Sequence, residues 1–355
     1  MFAKNLRENS NGKRKHLRLF TILLLTAVTV FFTMGETALA KKKKKKRDQI
    51  CTQTAQVVYK ACLDEIADDY WIAYANCINL EGSDAREECF DDAKKGEEGY
   101  RAAKEECKDQ YKARLDVCDD VGEDRYDPEI DPSTFVNPAN IGDTVDPNPY
   151  FPLVPGNKWT YKAYEEGNPD PIETIVVEVT DETIMIEGVW CVVVRDIVYE
   201  GDSTEDEYII EDTYDWYGQK TDKTVWYFGE WSLSKIDCEP EELCEGLFSE
   251  DGSWKSGYDG AKAGIIMFGD PSKVEYGTTY RQEVSWGNAE DVAELVSFDE
   301  ESVMAGGTTY DDKVLKNREF SPLEPDVEEF KYYAPGVGVV LEENEDDGTR
   351  VELIR

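Results

Sequence analysis

Cysteine is the residue type in this 355-residue chain with the widest chemistry, and six of its nine cysteines, Cys51, Cys62, Cys77, Cys89, Cys107 and Cys118, fall within one short stretch. Thiols can grip a metal, act as nucleophiles or pair as disulfides, and spacing separates these uses. Structural zinc is usually held by a close Cys-x2-4-Cys pair, which these six lack. Haem attachment through Cys-x-x-Cys-His is missing too, and the one histidine, His16, precedes every cysteine. Paired from the outside inward, as Cys51–Cys118, Cys62–Cys107 and Cys77–Cys89, the six have nearly constant position sums. Two antiparallel helices stapled across their interface would produce that symmetry. Six cysteines allow about 15 connectivities, and symmetry favours this one.

Three cysteines remain. Cys238 and Cys244 bracket Glu239-Pro240-Glu241-Glu242-Leu243 and are expected to close a local loop disulfide. Cys191, between Trp190 and Val192, is expected to be a buried, inert thiol, since no histidine is placed to activate it.

Carboxylates offer a second chemistry, because 77 Asp and Glu stand against 39 Lys and Arg, a net charge of −38. So acidic a surface repels nucleic acid and anionic lipid and binds cations loosely. The run Glu342-Glu343-Asn344-Glu345-Asp346-Asp347 could hold calcium weakly or adventitiously, but nothing matches an EF-hand loop. No other cofactor is expected. A Gly-x-Ser-x-Gly elbow and a phosphate loop are both absent. A carboxylate-based glycan hydrolase needs only two placed acids, so it stands as an alternative to a noncatalytic role.

Disulfides require an oxidising compartment, and the N-terminus supplies a route to one. Residues 1–18 are basic, an apolar run extends from Leu19 to about Met34, and Thr37-Ala38-Leu39-Ala40 has the small residues of a signal-peptidase site. Residues 1–40 are therefore read as a signal peptide and the product as secreted or held in the cell envelope. A polybasic segment follows at 41–47, which works against translocation and leaves an uncleaved signal-anchor as the alternative.

The elements that position these residues follow from composition. Residues 48–120 read as a Cys-rich helical hairpin, with no proline and a break at Glu81-Gly82-Ser83-Asp84, where Asp84 is expected to cap the second helix. Cys51 and Cys62 are eleven residues apart, as are Cys107 and Cys118, close to three helical turns. Val57, Val58, Ala61, Ile66, Tyr70, Ile72 and Ala73 are expected on its inner side, facing Phe90, Tyr100, Ala103, Tyr111 and Leu115. Residues 121–148, acidic and rich in proline and asparagine, read as a linker that passes from ordered to flexible.

Residues 149–355 alternate apolar and polar residues between turn signals, as in Thr174-Ile175-Val176-Val177-Glu178-Val179, which predicts a β-rich domain. Strands are expected at Lys158–Tyr164, Glu173–Thr180 and Thr183–Ile197, and on to Val351–Ile354. The fold class is thus α+β: a disulfide-stapled antiparallel helical hairpin, then a predominantly antiparallel β domain, either a curved open sheet or a sandwich. Trp216, Tyr217, Trp226 and Tyr227 lie on two strands joined by a polar hairpin loop. They are candidates for a ligand surface or glycan platform, although cross-strand packing is the ordinary use of such residues.

Three strings, Asn148-Pro149-Tyr150-Phe151-Pro152-Leu153-Val154-Pro155-Gly156-Asn157-Lys158-Trp159-Thr160-Tyr161, Trp226-Tyr227-Phe228-Gly229-Glu230 and Tyr332-Tyr333-Ala334-Pro335-Gly336-Val337-Gly338, form a recognisable combination. Together they resemble a group of secreted bacterial β-rich proteins of unassigned function. The last string is also similar to the final strands of curved-sheet envelope lipoproteins of the LolA/LppX type, some of which hold lipids. That resemblance implies a concave apolar sheet, while the lipobox cysteine of such lipoproteins is absent here. Pro335 is expected to set a turn, with Gly336 and Gly338 allowing tight backbone approach. The resulting expectation is a noncatalytic secreted or envelope protein binding an apolar or glycan ligand through its β domain, with an envelope, polysaccharide or protein partner. A structural or adhesive surface protein is the alternative.

Overall fold

Two long helices, α1 (Ile50–Ile78) and α2 (Ser83–Val121), come first in the computed structural model, which describes residues 49–236, 246–300, 302–345 and 347–354. The expected signal peptide, the polybasic segment, Cys238, Cys244 and Asp346 lie outside the described residues. The helices run antiparallel and are joined by Cys51–Cys118, Cys62–Cys107 and Cys77–Cys89, with Cα separations of 5.6, 5.9 and 5.4 Å. Cys51, Ala55, Val58, Cys62 and Ile66 recur at steps of three and four residues, so they form the inner stripe of α1. Val57, Ala61 and Ile72 fall off that stripe and are exposed, Val57 and Ile72 by 63% and 56%, which corrects their expected inner placement. Asp84 does not cap α2 either. The helix begins at Ser83, whose hydroxyl donates to Asp84 Oδ1 (2.9 Å), and Gly82 takes the N-cap position at a φ of 96°.

The hairpin's own core is Ile66, Ala103 and Cys107, with Tyr59, Cys62, Leu63 and Tyr100 packed around it. So small an apolar cluster offsets little of the entropy of ordering two helices, and the three cross-links, each worth about 2–4 kcal/mol and not additive, lower that cost by restricting the unfolded chain.

The segment expected as a linker is packed on the β domain. Asp131 and Asn137 accept from Ser133 N and Ala139 N (3.0 Å each) and start two short 3-10 turns, and Ile141 is buried in the main core. Fully buried Asn148 binds in four directions. It donates to the Lys223 and Phe268 carbonyls through Nδ2 and accepts from Tyr150 N and Phe151 N at Oδ1.

The strands are β1 (Lys158–Tyr164), β2 (Glu173–Ile186), β3 (Val189–Glu200), β4 (Ile209–Gln219), β5 (Val225–Lys235), β6 (Phe248–Ser249), β7 (Trp254–Lys255), β8 (Lys262–Met267) and β9 (Thr279–Arg281). They continue as β10 (Glu283–Val284), β11 (Val292–Glu300), β12 (Val303–Ala305), β13 (Thr308–Tyr310), β14 (Val314–Phe320), β15 (Glu328–Ala334), β16 (Gly338–Asn344) and β17 (Arg350–Leu353). Among the described residues the strands pair antiparallel, in the order β10-β8-β5-β4-β3-β2-β1-β17-β16-β15-β14-β11-β9, with β6 and β7 on β5 and β12–β13 as a separate pair.

The two ends of that order meet. Only Gln282 separates β9, which pairs with β11, from β10, which pairs with β8, and the Gln282 and Glu283 amides both donate to the Asp291 carbonyl (2.9 and 3.2 Å). The expected open sheet or sandwich is therefore corrected to a sheet nearly closed into a barrel. Register shifts in β2/β3, β3/β4, β4/β5, β11/β14 and β15/β16 bend the strands enough to bring the ends together. At the seam Gly264 is required, because a Cβ there would lie 2.2 Å from the Gln282 carbonyl. Gly336 and Gly338 both have positive φ, and the Gly336 amide approaches the Pro149 carbonyl closely (2.6 Å), although a Cβ on Gly336 would touch nothing.

Candidate functional site

The site forms where the base of the hairpin meets the barrel seam. Arg114 of α2 and Glu290, just before β11, make a bidentate pair with Nε–Oε2 and Nη2–Oε1 distances of 2.8 Å, and they are 3% and 0% exposed. Glu290 also accepts from Gly287 N (2.7 Å), which fixes the turn carrying Trp286. Arg281 of β9 reaches the other way. Its Nη2 lies 3.6 Å from Cys51 Sγ, and its guanidinium stands 5.1 Å from the Trp286 ring. Tyr126 OH donates to the Ala263 carbonyl (2.9 Å), and Asp127 pairs with Lys262 (3.0 Å). The helices are thus clamped to the barrel at their stapled end.

Beside this clamp opens a cleft of about 760 Å³. Ile50, Val57, Val58 and Ala61 of α1, Ala103 of α2, the Cys62–Cys107 bridge, Trp286 and Leu323 give it an apolar wall. Gln53, Thr54, Glu65, Glu106, Gln110 and Arg114 supply its polar groups, and Gln110 donates to the Leu323 carbonyl (3.0 Å). Ile50, Val57 and Trp286 are 37%, 63% and 39% exposed, so an apolar surface faces water there. One donor is left over: Arg114 Nη1 is buried without a hydrogen-bond partner. The rim is acidic, and burial, with help from Asp291 and Glu106, pushes the Glu324 carboxyl above its ordinary value.

A second polar cluster lies inside the barrel, sharing a face with core tyrosines. Tyr227 OH is 2.6 Å from Asp215 Oδ1 and 3.0 Å from Glu230 Oε2. One hydroxyl proton cannot serve both, so the second contact calls for a protonated carboxyl. Burial, partly countered by the Tyr227 hydroxyl, pushes Asp215 up to about 7, and burial plus the Asp215 charge pushes Glu230 up to about 8. Across the interior, Lys331 reaches Glu319 (3.0 Å) and Glu342 (3.5 Å), and Tyr333 OH donates to Glu319 (2.8 Å). Burial alone would lower Lys331, but these two carboxylates outweigh it and raise its pKa. Such a pair could hold and pass a proton. Asp215 and Tyr227 are only 9% and 5% exposed, so no sugar chain can reach them in this arrangement.

The aromatic ribbon divides between two cores. Tyr217 and Tyr227 stack at 4.7 Å in the main core, while Trp226 and Trp216 pack on the opposite face with Phe228, Cys191 and Phe135. Tyr217, Trp226 and Tyr227 are buried and Trp216 half-buried. Cys191 is fully buried, and burial pushes its thiol up. In the acidic run near the C-terminus, Glu342 faces Lys331 and Glu343 faces Arg350, and among the described residues no group of three or more side chains could hold a metal ion. The first and last of the three strings that carried the resemblance meet: Gly336 N donates to the Pro149 carbonyl (2.6 Å) and Trp159 Nε1 to the Val337 carbonyl (2.9 Å). Trp286, Leu323, Arg114 and Glu290 were missed by sequence reasoning. Only the turn string Trp286-Gly287-Asn288 offered a signal, since Arg114 and Glu290 are 176 residues apart.

The fold class is an α+β protein with a disulfide-linked helical hairpin and a nearly closed antiparallel barrel. No family model matches the chain, and no curated protein matches it by sequence. Two solved structures are distantly similar. A candidate lipoprotein of Parabacteroides distasonis is 13% identical with a TM-score of 0.35, over 59% of this chain and 99% of its own. A candidate exported protein with a YmcC-like fold from Bacteroides fragilis is 13% identical with a TM-score of 0.32, over 58% of this chain and 97% of its own. Among the described residues, no helix is long and apolar enough to cross a membrane.

Proposed function

We infer that the protein is a noncatalytic extracytoplasmic binding module whose cleft between hairpin and barrel takes an apolar ligand bearing an uncharged hydrogen-bond acceptor. The observation that carries this reading is the cleft itself, apolar-walled, about 760 Å³ in volume and lined by the neutral polar side chains of Gln53 and Thr54. Ligand sites of roughly 300–1,000 Å³ with a few convergent polar groups favour such junctions. Glu290 already neutralises Arg114, and Glu65, Glu106 and Glu324 oppose an anionic head, so a hydroxyl or carbonyl beside Gln53 and Thr54 suits the cleft better than a carboxylate. Secretion is supported by the signal-like N-terminus and the three disulfides.

The resemblance to secreted β-rich proteins and to lipoproteins of the LolA/LppX type agrees with an apolar ligand but moves its place. Here core side chains and the Lys331 cluster occupy the barrel interior, and the accessible apolar surface lies outside it. A glycan platform on Trp216, Tyr217, Trp226 and Tyr227 is the weaker reading, because three of the four are buried. Native mass spectrometry of the secreted chain with 1-decanol and with decanoate tests the proposal. One decanol per chain, weaker decanoate binding and loss of both in Ala61→Trp, which fills the cleft, are expected. Equal decanol binding by Ala61→Trp, or none by the unmodified chain, overturns it.

A further inference from the structure

The far end of the hairpin carries a feature that the cleft does not use. Beyond Ile66 and Tyr100 the helices leave the barrel clamp behind, and α1 continues for twelve residues from Ile66 to Ile78, about 18 Å at ~1.5 Å per residue. Along that length Trp71, Tyr74 and Ile78 sit at steps of three and four residues and are 62%, 37% and 58% exposed. Aromatic contacts extend the ridge across both helices: Trp71 lies 5.1 Å from Tyr70, Tyr70 5.9 Å from Tyr100, and Tyr74 4.7 Å from Phe90. Singly exposed apolar residues need no explanation, but a contiguous ridge of this kind marks a contact surface.

Its electrostatic setting selects the partner. Over the stretch of both helices that carries the ridge, Glu65 to Lys104, the sequence has eleven carboxylates against five cations, Arg86, Lys94, Lys95, Arg101 and Lys104, the last standing 4.1 Å over the Tyr100 ring. Arg86 is itself turned to the Leu80 carbonyl (3.3 Å). An anionic membrane surface is repelled by such a rim, while a cationic partner with an apolar face satisfies both ridge and charges. Two antiparallel helices with an exposed apolar seam also lack the third helix that would complete a small bundle. The Cys77–Cys89 bridge fixes the seam beforehand, so binding does not have to order it.

We propose that the hairpin tip is a docking surface for a basic amphipathic helix of a partner protein, seated on Trp71, Tyr74 and Ile78 with its cations against the surrounding carboxylates. The test uses fluorescence anisotropy of a labelled helical peptide with a leucine face and a lysine face, a leucine/glutamate peptide of the same pattern, and vesicles of neutral and of anionic lipid. The Leu/Lys peptide is expected to bind, to weaken as salt rises, and to lose at least ~10-fold in affinity with W71A/I78A, whose circular dichroism stays unchanged. The Leu/Glu peptide and both vesicles are expected not to bind. Equal binding of the Leu/Lys peptide by W71A/I78A reduces the effect to unspecific attraction by an acidic body and overturns the proposal. Absence of peptide binding, vesicle binding that depends on Trp71, or self-association of the chain that W71A/I78A abolishes also overturns it. Because Ala61→Trp leaves the tip untouched, failure of the cleft and failure of the tip are separable.

Discussion

The hairpin and the barrel solve the same stability problem in opposite ways. The hairpin buries little, exposes Trp71, Ile72 and Ile78, and holds its shape through three covalent bonds between residues 12 to 67 positions apart. The barrel has a single free cysteine among its described residues and holds its shape through two large apolar cores and pairings as distant as Tyr161 with Leu353. Covalent stapling lets a helix pair keep an apolar surface in water, because cohesion no longer depends on hiding it. Burial lets the barrel do the reverse and enclose carboxylates such as Asp215 and Glu283, at a cost in desolvation that its packing offsets. Recognition surfaces are therefore expected on the hairpin and at its junction, and pH sensitivity in the barrel.

Reduction should separate the two regions most sharply. With a thiol reductant the hairpin loses three loop closures, each worth about 2–4 kcal/mol though not additive, and a small core cannot hold it. The helical signal in far-UV circular dichroism should fall while the near-UV signal of the barrel tryptophans persists. A simultaneous loss of both would show that the regions fold as one unit.

The junction comes next. Glu290→Gln leaves the buried Arg114 guanidinium without its counter-charge, a loss expected to cost about 3–5 kcal/mol. Urea unfolding followed by tryptophan fluorescence would measure it. Arg114→Met with Glu290→Leu, which removes both charges, should recover much of that stability, and a double variant as weak as the single one would contradict the pairing's importance.

Barrel carboxyls predict the third effect, and its sign follows from proton counting. Asp215 and Glu230 keep their protons in the folded chain up to about 7 and about 8, whereas in the unfolded chain they lose them near their ordinary values. The folded state binds more protons across that window, so stability falls as pH rises from about 4 to about 8. Lys331, raised in the folded chain, contributes stability that is fully present throughout this window and is lost only at higher pH. Asp215→Asn should flatten the fall by on the order of a few kcal/mol, and thermal unfolding between pH 4 and 8 would show it. A wild-type profile that rises with pH would contradict the buried network.

Legibility in the sequence tracked the range of the interactions. The staple was readable because helical period and cysteine spacing are both local, and the inner stripe failed where Val57, Ala61 and Ile72 sit one residue away from stripe positions. The strand expected at Thr183–Ile197 ran through the true turn at Glu187-Gly188, where both residues have positive φ, and the break expected after Thr180 is instead a register shift within β2. Glycine signalled the turn, but the Asp181-Glu182 pair signalled one equally well and did not make it. Barrel closure was unreadable for a plainer reason: it depends on Gln282 dividing a short strand between β8 and β11, and no local pattern encodes a change of partner. The cleft shares that difficulty, since its walls come from α1, α2, the Trp286 turn and Leu323.

The smallest effect separates the regions by contrast rather than by damage. Trp226 and Trp71 are the same residue in opposite settings, 8% and 62% exposed. Truncating Trp226 to alanine removes a core ring packed with Phe228 and Ile186 and should cost about 3–5 kcal/mol. Trp71→Ala removes a ring that leans on Tyr70 and Tyr74 but stays largely in water, so the expected change lies within about 0.5 kcal/mol. Denaturant midpoints for the oxidised protein would compare them directly. If Trp71→Ala proved as costly as Trp226→Ala, the exposed ridge would be a cohesive part of the hairpin, and the separation between a stapled surface for recognition and a packed body for stability would fail at the ridge itself.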